Sequence, residues 1–201
     1  VASNLVDASP CGRVHEIEKT PKDLRVVFCS RLSRKKNLSY AIQCLSRVRT
    51  QVTFDVYGPA EDFEYARECQ VLIDQLPSHI HVSLKGSLEH YEVPEVLRAY
   101  HLFFFPTMGE NFGHIIWEAL ACGCLPVISD QTPWRRIGEL GIGCVHPLDQ
   151  KERFVESINF FQKMDASEFM ERRRRAVAFA LEEANAPSTL KSYRRMFHEV
   201  R

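Results

Sequence analysis

The 201 residues suffice for one well-packed domain, and 45% hydrophobic with 26% charged residues is the composition of a globular protein. Twenty-six basic residues balance twenty-six acidic ones, which argues against a protein that coats nucleic acid. No stretch approaches the roughly 20 apolar residues of a membrane span, and the opening V-A-S-N-L-V-D lacks the basic and apolar regions of a signal peptide.

Residues 1–23 read as a linker, with few periodic apolar positions and with Pro10, Gly12 and Pro21; residues 24–201 read as the folded domain. R-V-V-F-C-S (25–30) is the first expected strand. A helix over 37–48 follows, with Leu38, Ala41, Ile42, Leu45 and Val48 on one face and Asn37 as its N-cap. V-T-F-D-V-Y (52–57) is the second strand, closed by Gly58-Pro59, and a helix runs through Glu68 to Gln75. Strands are expected at 81–84, 102–105, 125–129 and 143–145, with helices near 93–100, over 115–122 and after Pro133. The rest reads as helix over 150–163, 167–184 and 187–199. Apolar strands alternating with helices imply a parallel sheet of about six strands covered on both faces, a single α/β Rossmann-like domain. Ligands on such a sheet bind beyond the carboxyl ends of the strands, where the strand order reverses.

Seven cysteines are an odd number, and Cys29, Cys44 and Cys122 fall on apolar strand or helix positions. They read as buried thiols of a cytoplasmic protein rather than a disulfide framework. Cys122 and Cys124 stand two apart and no C-x-x-C pair occurs, which argues against zinc.

The most informative run is G-E-N-F-G-H-I-I-W-E, with Glu110 in a turn and Glu118 inside a helix. Eight residues at 3.6 per turn return to within about 80°, so the two carboxylates are expected on roughly one side. Between them Asn111, Phe112, Gly113, His114 and Ile115 form a helix start whose N–H groups suit an anion such as a diphosphate. Carboxylates suit sugar and ribose hydroxyls. Two solvated surface glutamates are the plain alternative, but Glu118 is the one acid in I-I-W-E-A-L-A-C, which favours partial burial. After the first strand, S-R-L-S-R-K-K-N places Arg31 and Lys36 at the cleft, as phosphate ligands or as members of a solvated basic loop. No G-x-G-x-x-G follows that strand, and no Walker A run occurs. Arg172 to Arg175 are read as one arginine at a core edge (Arg173) with solvated neighbours, or as a contact of the intact protein with an anionic membrane or an acceptor.

These segments resemble the C-terminal, donor-binding domain of family-4 retaining glycosyltransferases of the two-Rossmann-domain (GT-B) architecture. The matching runs are S-R-L-S-R-K-K-N, D-V-Y-G-P, V-S-L-K-G-S-L and G-E-N-F-G-H-I-I-W-E-A-L-A-C-G-C-L-P-V-I-S-D-Q-T-P-W, in family order across about residues 25–148. The resemblance implies that Arg31 and Lys36 hold the donor diphosphate, Glu110 contacts the transferred sugar and Glu118 the ribose. It implies that Asn111 to Ile115 contact sugar and phosphate, and that Gly86, Ser87 and Leu88 receive the base. Trp134 stands where many relatives carry an acid, as a sugar-side contact or as a packing aromatic.

The expected function is therefore transfer of a sugar from a nucleotide-diphosphate donor to a glycan or lipid-linked acceptor, with retention. Arg31, Lys36 and Glu110 carry the chemistry. No Asp-x-Asp occurs, and no metal or other cofactor is expected. One Rossmann-like domain forms one wall of such a cleft, so an N-terminal Rossmann-like half is expected in the same chain or as a partner, and the isolated chain is expected to be inactive. The alternatives are a nucleotide-sugar-binding module, alone or in a split enzyme, and a phosphorylase or epimerase on the same architecture. The intact enzyme is expected in the cytoplasm, with possible peripheral contact at the inner membrane face and no nucleic-acid partner.

Overall fold

A computed structural model describes residues 16–20 and 23–185. Six parallel strands form one sheet in the order β3-β2-β1-β4-β5-β6. They are β1 (Arg25–Cys29), β2 (Val52–Tyr57), β3 (Ile80–Gly86), β4 (Leu102–Phe105), β5 (Leu125–Ser129) and β6 (Cys144–His146). Helices α1 (Leu38–Leu45), α2 (Phe63–Asp74), α3 (Val93–Arg98), α4 (His114–Ala121), α5 (Arg136–Glu139), α6 (Lys151–Lys163) and α7 (Ala166–Asn185) connect and flank them. The helix expected over 187–199 lies outside the described residues.

The order follows from the sequence of right-handed crossovers. The chain steps outward from β1 to β3, then returns to the other side of β1 and steps outward again to β6. The helices of the two excursions therefore cover opposite faces. Accordingly α1 packs on α2 and α6, while α4 packs on α3 and α7. Strands covered on both sides are almost wholly apolar: every residue of β4 and β5 is buried, including Phe103, Phe104 and Phe105, and Ser129 is the one hydroxyl among them. β3, at the sheet edge, is mostly exposed after Ile80. The expected bounds of β2, β4 and β5 coincide with the observed ones.

Two local expectations need correction. Helix α2 starts at Phe63, before the expected Glu68, because Asp62 caps it, accepting the Tyr65 N–H at 2.9 Å. Asn37 is not a side-chain N-cap: it adopts a left-handed φ of 63°, and its amide donates to the Pro106 carbonyl at 2.9 Å. It joins the ends of β1 and β4 rather than capping α1.

The arginine run also divides differently. Arg173 is fully enclosed, with its guanidinium donating to the Tyr100 carbonyl at 3.2 Å and standing over the Phe169 ring. Arg172 and Arg175 donate to the carbonyls of Gly141 and Leu140 just beyond α5, so they tether a helix end rather than standing free in solvent. Trp117 Nε1 donates to the Ala180 carbonyl at 2.9 Å and ties α4 to α7.

At the amino ends of the strands, residues within the stretch read as linker are anchored. The buried Lys19 ammonium donates to the Thr20 and Gln162 carbonyls, each at 2.9 Å. His101 is wholly buried and accepts the Arg25 N–H through Nδ1 at 2.9 Å. The imidazole proton is therefore on Nε2, which donates to the Glu18 carbonyl at 2.9 Å. A proton on Nδ1 would face the Arg25 N–H, and burial holds the His101 pKa down to about 4. The unfolded chain takes up that proton near pH 6.5, so stability is complete above about 6.5 and is lost as pH falls toward 4. Urea unfolding between pH 7 and 4 should show His101 contributing about 3 kcal/mol to this loss. His101→Gln should flatten the dependence; an unchanged slope would contradict the assignment.

Candidate functional site

The strand order reverses between β1 and β4, and the loops leaving these two strands are joined by several bonds. Besides the Asn37 amide on Pro106, the Lys35 carbonyl accepts the Met108 N–H at 2.8 Å and has the Thr107 hydroxyl oxygen 3.2 Å away. The loop after β5 joins them: Ser129 Oγ donates to the Thr107 carbonyl at 2.5 Å, and the Glu110 N–H donates to the Gln131 carbonyl at 3.1 Å. Backbone that would otherwise be unpaired at a sheet end is thus paired between loops.

Across this junction Lys36 Nζ lies 2.6 Å from Glu110 Oε1. Their side chains are only 14% and 12% exposed, so this pair is largely withdrawn from water. Thr107 Oγ1, fully buried, contacts the same carboxylate oxygen at 3.0 Å. Lys36 Nζ also stands 5.6 Å from the centre of the Phe105 ring. Lys36 and Glu110 are therefore brought together, one from each side of the reversal.

Glu110 precedes α4 rather than belonging to it, because the helix begins at His114 with Gly113 as its N-cap. Helical periodicity thus does not relate the two glutamates; loop contacts set Glu110 and the helix sets Glu118. Gly113 has a φ of 78°, and a Cβ there would come 2.9 Å from Ile116 Cδ1, so the helix entry requires glycine. The Ile116 and Trp117 N–H groups turn back to the Gly113 carbonyl at 2.9 and 3.4 Å, leaving those of Gly113 and Ile115 without an intrahelical acceptor. Asn111 is exposed, Phe112 half-buried, and His114 exposed with its ring against Phe112 at 4.7 Å. Burial on that side lowers the His114 pKa.

Glu118 is half-buried on α4. Desolvation raises its pKa, with a smaller opposing influence from His90. Burial pushes the Cys29 thiol up to about 12, with the Glu118 charge adding to the effect, so Glu118 lies beside the end of β1. Gly86 and Ser87, at the end of β3, are exposed; Leu88 packs its side chain against the core. Arg31 does not join the Lys36–Glu110 pair. It is 60% exposed and paired with Glu61 at 2.9 Å, on the β2 side of the cleft.

Sequence reasoning missed Thr107, the hydroxyl that follows the F-F-F-P run; of the two roles expected for Trp134, the structure shows the packing aromatic. Trp134 is buried, donates through Nε1 to the Phe112 carbonyl at 2.5 Å, and packs on Phe112 and Phe179. It braces the loop that enters α4. Among the described residues no group of three or more His, Cys, Asp or Glu is placed to hold a metal ion, and no helix is long and apolar enough to cross a membrane.

A parallel sheet binds ligands beyond the carboxyl ends of its strands where the order reverses, and the charged pair and the helix start stand there. The chain belongs to the glycosyl transferases group 1 family, whose model matches residues 14–180. It is 34% identical over 121 residues to the phosphatidylinositol N-acetylglucosaminyltransferase gpi3 subunit of Schizosaccharomyces pombe, covering 57% of this chain and 25% of that protein. It is 25% identical over 137 residues to the UDP-N-acetylglucosamine–peptide N-acetylglucosaminyltransferase GtfA subunit of Streptococcus agalactiae, covering 65% of this chain and 26% of that protein. The chain thus spans about a quarter of the length of these relatives. Among solved structures, the catalytic domain of cholesterol-α-glucosyltransferase from Helicobacter pylori superposes with a TM-score of 0.66 at 18% identity, covering 81% of this chain and 99% of that one. The fold is that of a GT-B glycosyltransferase C-terminal domain.

Thr107→Val keeps the volume and removes the hydroxyl that contacts both Glu110 and the Lys35 carbonyl. We expect a stability loss of about 1–2 kcal/mol by urea unfolding, with the global fold retained by circular dichroism. A variant as stable as the parent would show that this hydroxyl does not hold the junction.

Proposed function

We propose that this domain binds the nucleotide-diphosphate sugar donor of a retaining glycosyltransferase. The observation that carries the reading is the Lys36–Glu110 pair, largely withdrawn from water, at the strand reversal and beside the α4 helix start. Lys36 and the N–H groups of the 111–115 segment face the diphosphate, and Arg31 turns from Glu61 to join them when the donor arrives. Glu110 accepts hydrogen bonds from the transferred sugar. Glu118 accepts them from the ribose, and the Gly86–Leu88 turn receives the base.

Reaction breaks the bond between the anomeric carbon and the diphosphate oxygen and joins that carbon to an acceptor hydroxyl oxygen. Negative charge grows on the departing diphosphate while the sugar becomes oxocarbenium-like. Lys36, Arg31 and the helix start stabilise the first charge, and Glu110 stabilises the second. No metal is needed in this scheme, because fixed cations and N–H groups meet the diphosphate.

The acceptor is a glycan or a lipid-linked molecule, held by an N-terminal Rossmann-like half in the same chain or in a partner. The two curated relatives are named as N-acetylglucosaminyltransferase subunits, and one is named for phosphatidylinositol, which supports an N-acetylhexosamine donor and a lipid-linked acceptor. That acceptor class accords with peripheral contact at the cytoplasmic membrane face. Without the second wall, positioning worth roughly 7–11 kcal/mol of barrier is missing, so the domain alone binds donor and does not turn over.

Calorimetry with nucleoside diphosphates, with a chelator present, tests the reading. Glu118→Ala should weaken binding by about 1–3 kcal/mol, the cost of removing one partner of a charged hydrogen bond. Burial raises the Glu118 pKa, so acidification should weaken nucleotide binding from a pH above the usual carboxylate range. Glu110→Gln should act oppositely on the bare nucleotide: it releases Lys36 from its counter-charge and should tighten diphosphate binding while weakening the nucleotide sugar. Binding that vanishes with the chelator, or equal losses of bare nucleotide in both variants, would refute the assignment.

A further inference from the structure

We infer that Asp55, Tyr100 and Tyr57 form a positioning network that fixes the β3 bulge residue Lys85, and through it the Gly86–Leu88 turn that recognises the nucleotide base. The base assignment rests on the reading above; the network itself rests on geometry. Strands β2 and β3 pair regularly up to Val56 with Leu84, and then Tyr57 pairs with Gly86. Lys85 is the extra residue, a bulge that ends the regular ladder and re-aims the chain. Immediately after it Gly86 takes a φ of 79°, a conformation that turns the chain out of the strand. The turn is held to β2 by the Gly58 N–H, which donates to the Gly86 carbonyl at 2.8 Å.

A bulge at a sheet edge has little to fix it, since its residue has no ladder partner. Here a buried carboxylate supplies the fixation. Asp55 is 9% exposed, in the interior of β2. Its Oδ2 accepts the Tyr100 hydroxyl at 2.6 Å and lies 3.6 Å from Lys85 Nζ. Tyr100 spends its one proton on Asp55, so the Tyr57 hydroxyl, 3.2 Å away, donates to Tyr100. The two rings also meet edge to face at 6.4 Å. Burial and the bond to Asp55 push the Tyr100 pKa far up, so the phenol keeps its proton. Asp55 Oδ1 is closed off from solvent and has no hydrogen-bond partner. A carboxylate on a β-strand with an unused oxygen is costly to bury. Tyr100 and Lys85 meet it and Tyr57 backs Tyr100; they come from just past α3, from the bulge and from β2. The network therefore joins the bulge to the sheet interior and to the helix that follows the 86–88 turn.

Three variants test this, with two readouts. Lys85→Gln alters a side chain that is 41% exposed and leaves the core intact. Tyr100→Phe removes only the buried hydroxyl. In both, hydrogen exchange of the Gly58 amide should quicken while amides of β4 and β5 keep their protection. In both, uridine should bind about 5- to 30-fold more weakly, the effect of losing one or two such interactions, while inorganic pyrophosphate binds unchanged. Lys85→Arg should restore both. Parental Gly58 exchange and uridine affinity in Lys85→Gln would overturn the inference. Equal losses for uridine and pyrophosphate would also overturn it, since they would report general loosening. If the parent protein binds neither uridine, adenosine nor guanosine, the nucleotide reading fails, and Gly58 exchange alone decides for or against the network.

Discussion

The arrangement depends on one contact, the ion pair of Lys36 with Glu110 across the reversal of strand order. Such a pair adds little net stability, because two charges withdrawn from water lose about what their attraction returns. What it does is local. It holds a cation and a carboxylate at one point and neutralises both. The surrounding bonds from Asn37, Lys35, Thr107 and Ser129 serve the same end, since each joins two strand ends that would otherwise move separately.

The sheet supplies the rigidity that these loops borrow. Four consecutive buried residues in β4 and five in β5 leave no face for solvent, so the loops leave strands that cannot shift without opening the core. On the opposite end of the sheet, polar groups perform the closure. His101, Lys19 and Arg173 are buried charged or chargeable side chains whose partners are main-chain carbonyls and, for His101, a main-chain N–H. That end is sealed, whereas the carboxyl end presents paired charges to a cleft. The two ends of one parallel sheet have thus been given different tasks by the residues that close them.

The strands were legible because buried parallel strands are continuous apolar runs, and F-F-F or L-P-V-I has few other readings. The glutamate block was legible because a lone acid in an apolar helix demands a reason. Contacts between distant loops were not. Asn37 looked like a helix cap because asparagine before an apolar helix usually is one, and only the approach of Pro106 shows where its amide goes. Thr107 gave no signal, since a hydroxyl after proline is ordinary in a turn. Helical spacing puts Arg173 beside Phe169 at a core edge, but its full enclosure also depends on Tyr100 and the bend at Gly123, which come from distant parts of the chain. Glu110 stands in the turn expected for it, but helical periodicity does not reach it, because the chain is not helical until His114.

The charge pattern of the cleft has a consequence for how a donor is taken up. Arg31 is held by Glu61, Arg34 by Glu68, and Lys36 by Glu110. Three of the four cations in the basic loop after β1 are thus paired with carboxylates, and the exposed Lys35 is the fourth. An anion gains only where it can replace a carboxylate as the cation's partner, or where the carboxylate finds another partner at the same moment. A bare phosphate satisfies the first condition and leaves the acid unpaired. On the function proposed above, a diphosphate that carries a sugar would satisfy both, its phosphates meeting the cations while its hydroxyls meet the released acid. Discrimination for a nucleotide sugar over simple anions can thus arise from these cation–carboxylate pairs, before any contact with the base is considered.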